Sequence, residues 1–231
     1  MTSVRDAISV VGVTRLAHFT PSKNLPHIIA DGLIRSSKDL ADNAPDYFDP
    51  TDRERFEQHP DKLCCSMQFP NGYYLAQARK KPDFVNYPDW VCLLLDVALL
   101  ERPGTLFSPC NAATARGAYL EPGGDALIAC YSPVSQPGSW TRGANHQRGA
   151  PTDVQAEALV PAPVDLSHLE AIVVPSDTAA MNEAGRLDQL GMSSAGINWV
   201  VSPIFFDRNV LSSRIRFGGR IDEEIWTGDD T

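Results

Sequence analysis

Apolar positions along the chain gather in short runs separated by long polar stretches. Val91 to Val97 (Val-Cys-Leu-Leu-Leu-Asp-Val) is almost continuously apolar at strand length and predicts a buried strand. Val10 to Phe19, Leu63 to Phe69, Ala158 to Val160, Leu169 to Val174 and Asn198 to Val201 predict further strands. Leu25, Ile28, Ile29 and Leu33 recur at helical spacing. Thr20 or Ser22 can cap that helix, Pro21 suits its first turn, and Gly32 can end it in a left-handed conformation. Tyr73 to Lys80 predicts a second helix after a Pro70-Asn71-Gly72 turn, and Ser176 caps a third that runs to about Leu190. Ser36 to Lys62 is polar and acidic, with Pro45, Pro50 and Pro60, and Ser132 to Pro151 is rich in Gly, Pro, Ser and Asn. Both predict long loops, which in folded domains are commonly functional or mobile. Short strands with few helices between them favour an α+β fold over a doubly wound parallel sheet. No linker divides residues 1–231, which predicts a single domain.

Composition narrows the classes. The formal net charge of −9 argues against tight nonspecific nucleic-acid binding, which depends on phosphate neutralisation. Positive residues are nonetheless clustered, at Arg79-Lys80-Lys81 and at Arg208, Arg214, Arg216 and Arg220. An acidic protein with local basic patches suits an enzyme that meets its polymer briefly. The five cysteines form no Cys-x-x-Cys pattern, which predicts buried thiols rather than a zinc site or disulfides. No apolar run approaches the ~20 residues of a membrane span. Met1 to Val13 lacks the layout of a secretory signal, so a cytoplasmic location is expected.

The candidate chemistry centres on Gln155-Ala156-Glu157, where the loop ending at Pro151 enters a strand. Side chains two apart on a strand share a face. A carboxylate there can stabilise positive charge developing on a sugar, while an amide orients the incoming nucleophile. His18 and Thr20 stand in the same relation on the first strand, and both can hydrogen-bond a ribose. Tyr73 and Tyr74 offer faces on which a base or nicotinamide can stack. Trp140, in the polar loop, is expected to be exposed and to touch substrate. Asn111 is expected to order its loop through an Asx turn.

The run LAHFTPSKNLPHIIADGLI resembles the opening of the DarT family of DNA ADP-ribosyltransferase toxins, and DVQAEALVP resembles that family's catalytic loop and strand. FSPCNAATARGAY and CSMQFPNGYYLAQA are similar to its middle blocks, so the resemblance runs from about Thr14 to Val174. It implies an ADP-ribosyltransferase-like fold of two small packed β-sheets flanked by helices. It implies NAD as ADP-ribose donor, with no metal. His18 and Thr20 would hold the nicotinamide ribose, and Phe19, Asn24, Gly32, Leu33 and Tyr74 would complete the NAD site. Glu157 would be the catalytic acid, and Gln155, Trp140 and Tyr73 would meet the acceptor. A catalytic arginine is implied in the segment after the first helix, where Arg55 is preferred and Arg53 is the alternative.

Cys-Ser-Met-Gln-Phe-Pro-Asn-Gly departs from the thymidine-modifying branch and looks more like the guanine-modifying one. The implied reaction is transfer of ADP-ribose to a base, guanine first, of single-stranded DNA. An RNA or protein acceptor, a thymidine acceptor, NAD hydrolysis and a non-enzymatic binding module are the alternatives. The resemblance also implies a toxin whose cognate antitoxin, of macrodomain or NADAR type, removes ADP-ribose.

Overall fold

The computed structural model describes residues 2–46, 55–81, 89–138, 140–194 and 196–228. The first apolar block divides into two elements. Ser3 Oγ accepts from the Asp6 N–H and starts helix α1 (Val4–Val11), and Gly12 ends it at φ 74°. Strand β1 (Arg15–Pro21) follows. Val10 and Val11, expected in the strand, therefore belong to a helix set by its two caps. Next come α2 (Leu25–Asp31), β2 (Leu33–Ile34) and α3 (Ser37–Asn43). Gly32 closes α2 at φ 66°, as its spacing predicts. The expected Ser36 to Lys62 loop contains α3, which buries no residue and so leaves no apolar period to read. Its determinants are polar: Ser36 Oγ accepts from the Asp39 N–H, and Arg35 pairs with Asp31 and Asp39.

The chain continues through β3 (Lys62–Met67), α4 (Gly72–Ala78), β4 (Trp90–Asp96), β5 (Leu106–Ser108), β6 (Glu121–Pro122) and α5 (Gly124–Ala129). It ends with β7 (Glu157–Pro161), β8 (Val164–Asp165), β9 (Leu169–Val174), α6 (Asp177–Gln189), β10 (Trp199–Val201), α7 (Arg208–Phe217) and β11 (Glu224–Ile225). The strands form a nine-stranded sheet in the order β11-β10-β9-β4-β1-β3-β7-β5-β6, and β2 pairs with β8 separately. Among the described residues only β9 and β10 pair in parallel, so the α+β class holds. β4 has buried positions on both faces of the sheet, which explains its near-continuous apolar run. Leu93 and Leu95 pack with α1, α5 and α6, while Cys92 and Leu94 pack with α4 and α7.

The two sheets implied by the resemblance are joined at one short seam. β1 pairs with β4 along its whole length, from Arg15 opposite Asp96 to Pro21 opposite Trp90. It pairs with β3 only at Leu16–Met67 and Ala17–Ser66. Beyond Ala17 the ladder between β1 and β3 stops, dividing the sheet into a five-strand part and a four-strand part. His18, Phe19 and Thr20 lie just past the seam on one side, and Cys64 lies on the other.

Candidate active site

Where the ladder ends, a cavity of about 250 Å³ opens, lined from β1 by His18, Phe19 and Thr20 and from β7 by Glu157. Asn24, Leu33, Tyr74 and Arg55 line it too, so eight of the sequence-derived candidates meet in one place. His18 Nδ1 lies 2.8 Å from the Cys64 carbonyl oxygen across the split. A carbonyl only accepts, so Nδ1 carries the proton. Burial pushes the imidazole pKa down, which keeps the ring neutral and leaves Nε2 an acceptor. Asn24 Nδ2 donates to Thr20 Oγ1 at 3.0 Å, so the Thr20 hydroxyl keeps its own proton for another acceptor. Neutral His18 and Thr20 together present one acceptor and one donor, a pair suited to ribose hydroxyls.

Glu157 opens β7, flanked by Ser66 of β3 and Ser108 of β5. Its Oε2 accepts the Ala112 N–H at 2.6 Å. The loop that supplies this donor is shaped by Asn111, whose Oδ1 accepts the Ala113 N–H at 3.0 Å in the expected Asx turn. Burial pushes the Glu157 carboxyl up to about 7. The Ala112 N–H and the Arg55 cation favour the charged form, while Glu57 and Asp153 oppose it. A carboxyl poised at that value is ionised in about half of molecules at neutral pH and can hold a proton or release it.

The raised value has a stability consequence. Between about 4.5, the ordinary value, and about 7, the folded state holds a proton that the unfolded state has released. Stability must therefore fall as pH rises through this window. Ionising Glu157 costs on the order of 3 kcal/mol above it. Glu157→Gln removes the cost, so the variant is expected to exceed the wild type in stability at pH 8 and to match it more closely at pH 4.5. Urea denaturation at the two pH values checks this, and an equal offset at both would contradict it.

Arg55 is anchored rather than free to swing. It pairs with the Glu57 carboxylate and donates to Ser37 Oγ (3.1 Å), the His59 carbonyl (3.2 Å) and the Lys62 carbonyl (3.3 Å). Glu57, only 6 % exposed, also lines the cavity and escaped the sequence reading. Asn71 escaped as well, having been read only as part of a turn. Its Oδ1 caps α4 by accepting the Tyr74 N–H at 3.0 Å, the residue lines the cavity, and its buried Nδ2 has no partner among the described residues. A buried amide donor left open costs free energy unless a ligand fills it. Together with the His18–Thr20 pair, Asn71 Nδ2 makes this cavity fit a polar ligand such as NAD.

Other candidates lie elsewhere. Gly32 does not line the cavity and serves as the α2 cap. Gln155 precedes β7, in a turn where its N–H donates to Asp153 Oδ1 at 2.9 Å. The period-two relation to Glu157 therefore does not hold. Tyr73 points away from the cavity into a shallow cleft with Val154 and Arg208, while its neighbour Tyr74 lines the cavity. Trp140 is half-buried rather than exposed, with its ring edge-on to Tyr73 at 6.0 Å. Arg53 lies outside the described residues. The cysteines are free thiols, four buried and Cys64 half-buried. Among the described residues no three His, Cys, Asp or Glu side chains are grouped to hold a metal, and no helix is long and apolar enough to cross a membrane.

The sequence profile of the family described as "DarT: ssDNA thymidine ADP-ribosyltransferase" matches residues 17–205. Among solved structures, Thermosipho africanus DarTG in complex with ADP-ribose aligns with a TM-score of 0.58 at 18% identity, covering 84% of this chain and 51% of that one. The chain thus spans about half the length of that DarTG. Thermus sp. 2.9 DarT in complex with ADP-ribosylated ssDNA aligns with a TM-score of 0.57 at 14% identity, covering 84% and 97%. The same Thermus protein in complex with NAD+ gives 0.54 at 13% identity, with the same coverage. These alignments establish a shared fold. Among curated proteins no sequence gives a significant match.

Proposed function

Because the chain belongs to the DarT family of single-stranded-DNA ADP-ribosyltransferases, we propose that it transfers ADP-ribose from NAD to a base of single-stranded DNA and releases nicotinamide. The observation that carries this reading is the convergence of Glu157, Arg55 and the Ala112 N–H on one wall of the cavity where the sheet splits, with His18 and Thr20 on the other. When bound, NAD supplies the ADP-ribosyl group, whose bond to nicotinamide breaks as positive charge develops on the ribose. His18 Nε2 and the Thr20 hydroxyl hold ribose hydroxyls, and Asn71 Nδ2 donates to a carbonyl or phosphate oxygen of the donor. Ionised Glu157 accepts a hydrogen bond from the ribose and stabilises the developing charge. It then takes the proton released by the base nitrogen as the new bond to the sugar forms.

Gln155 stands between Glu157 in the cavity and Val154 in the shallow cleft. On this reading Gln155 orients the acceptor, with Tyr73 and Trp140 at the flank. The base must be unpaired, since a duplex hides its reactive nitrogen. We assign guanine as the acceptor on the strength of the Cys65 to Gly72 block, which departs from the thymidine-modifying pattern. Thymine is the second reading, favoured by the family's own description. Two single-stranded oligonucleotides, one lacking guanine and one lacking thymine, separate them by mass spectrometry after incubation with NAD. A mass increase confined to the strand that contains guanine is expected. An increase confined to the strand that contains thymine would overturn the base assignment and keep the enzyme.

The same reading makes the chain a cytoplasmic toxin, held in check by an antitoxin that removes ADP-ribose and is of macrodomain or NADAR type. The DarTG chain it resembles extends well beyond the aligned part, which covers 51% of it.

A further inference from the structure

Outside the cavity, the shallow cleft beside Val154 leads to a string of ring and guanidinium contacts. Phe217 meets the Arg216 guanidinium at 5.1 Å, Arg216 meets Trp140 at 4.4 Å, Trp140 meets Tyr73 at 6.0 Å, and Tyr73 meets Arg208 at 5.3 Å. Three separate elements supply it: the loop before β7, helix α4 and helix α7. Gly72 lets α4 come this close, because a Cβ there would sit 3.1 Å from Arg208 Cα. Arg208 and Phe217 are exposed, and Phe217 shows 64% of its surface.

The arginines of α7 stand close together on this face, and elsewhere in the molecule some arginines are paired and others, such as Arg102, Arg116, Arg142 and Arg148, meet no carboxylate among the described residues. Arg15, Arg35, Arg55 and Arg186 each meet a carboxylate. Arg208, Arg214 and Arg216 form no ion pair among the described residues, and the buried Arg216 Nε has no hydrogen-bond partner there. In a chain of net charge −9, α7 thus presents three arginines that form no ion pair among the described residues, with Asp207 at its cap as the neighbouring carboxylate, beside a row of aromatic rings. Cation–ring contact alone needs no ligand. Guanidinium groups spaced along a row of rings do match a flexible polyanion whose bases have open faces. A folded acidic protein would complement the charge but not the rings, and a duplex would keep its bases stacked.

We propose that α7, with Arg208, Arg216 and Phe217, forms a track that holds the single-stranded DNA backbone and flanking bases while the target base enters at Glu157. α7 lies beyond residue 205, where the family profile ends, so the track belongs to a part of the chain that the family match does not cover. This proposal rests on the DNA-acceptor reading.

The test is fluorescence anisotropy of a labelled single-stranded 20-nucleotide DNA on full-length Glu157→Gln protein, with and without Arg208→Gln/Arg216→Gln or Phe217→Ser. NAD affinity serves as the check that each variant is folded. The double arginine variant is expected to weaken binding about tenfold or more, with the log–log salt slope shallower by about 0.7 for each phosphate no longer neutralised. Phe217→Ser is expected to weaken binding about fivefold or more because a base loses its stacking platform, with the salt slope unchanged. If the parent binds DNA and all variants match it in affinity and slope, the track is wrong and the acceptor reading stands. If the parent binds no DNA, or prefers an RNA of the same sequence, both fall.

Discussion

Glu157→Gln is expected to lower ADP-ribosyl transfer by about 1000-fold while NAD still binds. The substitution keeps the shape of the side chain and its acceptor for the Ala112 N–H, which lies 2.6 Å away. It removes the charge that develops its full value only as nicotinamide leaves. Such a group lowers the barrier without tightening the ground state, so the loss should fall on kcat and little on KM. The carboxyl sits near 7 because burial outweighs the Ala112 hydrogen bond and the Arg55 cation. In the proposed mechanism the ionised form is the active one, so kcat/KM of the wild type should climb between about pH 6 and 8 and then level. Residual transfer by Glu157→Gln should lack this rise. A variant that kept both the rate and the rise would place the catalytic carboxyl elsewhere.

Arg55→Ala is expected to be costly twice over, in activity and in stability. The guanidinium neutralises Glu57, which is 6 % exposed, and it favours the charged form of Glu157. Removing one partner of a largely buried pair leaves the other charge stranded, at a cost of about 3 kcal/mol. Glu57→Ala added to Arg55→Ala should restore most of that stability, because no lone buried charge remains. Transfer should not recover with it. Without the cation the Glu157 carboxyl titrates still higher in the single variant, and removing Glu57 as well takes away the neighbouring carboxylate that raises it. The rate at pH 7 should nonetheless stay about 100-fold down in both variants, because the guanidinium that lines the cavity is gone from each. Chemical denaturation and nicotinamide release measured on the wild type and these two variants separate the two roles. Recovery of both properties together in the double variant would make Arg55 purely structural.

The parts of this site that could be read along the chain are those that short-range pattern positions. His18, Phe19 and Thr20 follow one another on β1 and Asn24 lies one turn on, so their neighbourhood in sequence is their neighbourhood in space, while Glu157 was legible as the acid that begins β7. β4 and β9 were legible because burial on both faces leaves an unbroken apolar run. Glu57 and the Ala112 N–H were not legible, since each matters through a partner far away in sequence. Gln155 was misplaced because the Asp153 side chain holds a turn that delays the strand to Glu157. Trp140 was expected in solvent because its neighbours are polar; the arginine that covers its ring comes from α7. That helix carries only a Leu211–Ile215 stripe, too short to stand out, and its start depends on Asp207 Oδ1 accepting from the Asn209 and Val210 N–H groups.

The central claim is that this cavity moves ADP-ribose from NAD to a DNA base through Glu157. Its most direct measurement is the intact mass of a single-stranded oligonucleotide bearing all four bases, after incubation with NAD and either the wild type or Glu157→Gln. One added ADP-ribose with the wild type, with equal release of nicotinamide, and an unchanged strand with the variant are expected. Nicotinamide release by the wild type with an unmodified strand, or a strand modified equally by both proteins, would contradict it.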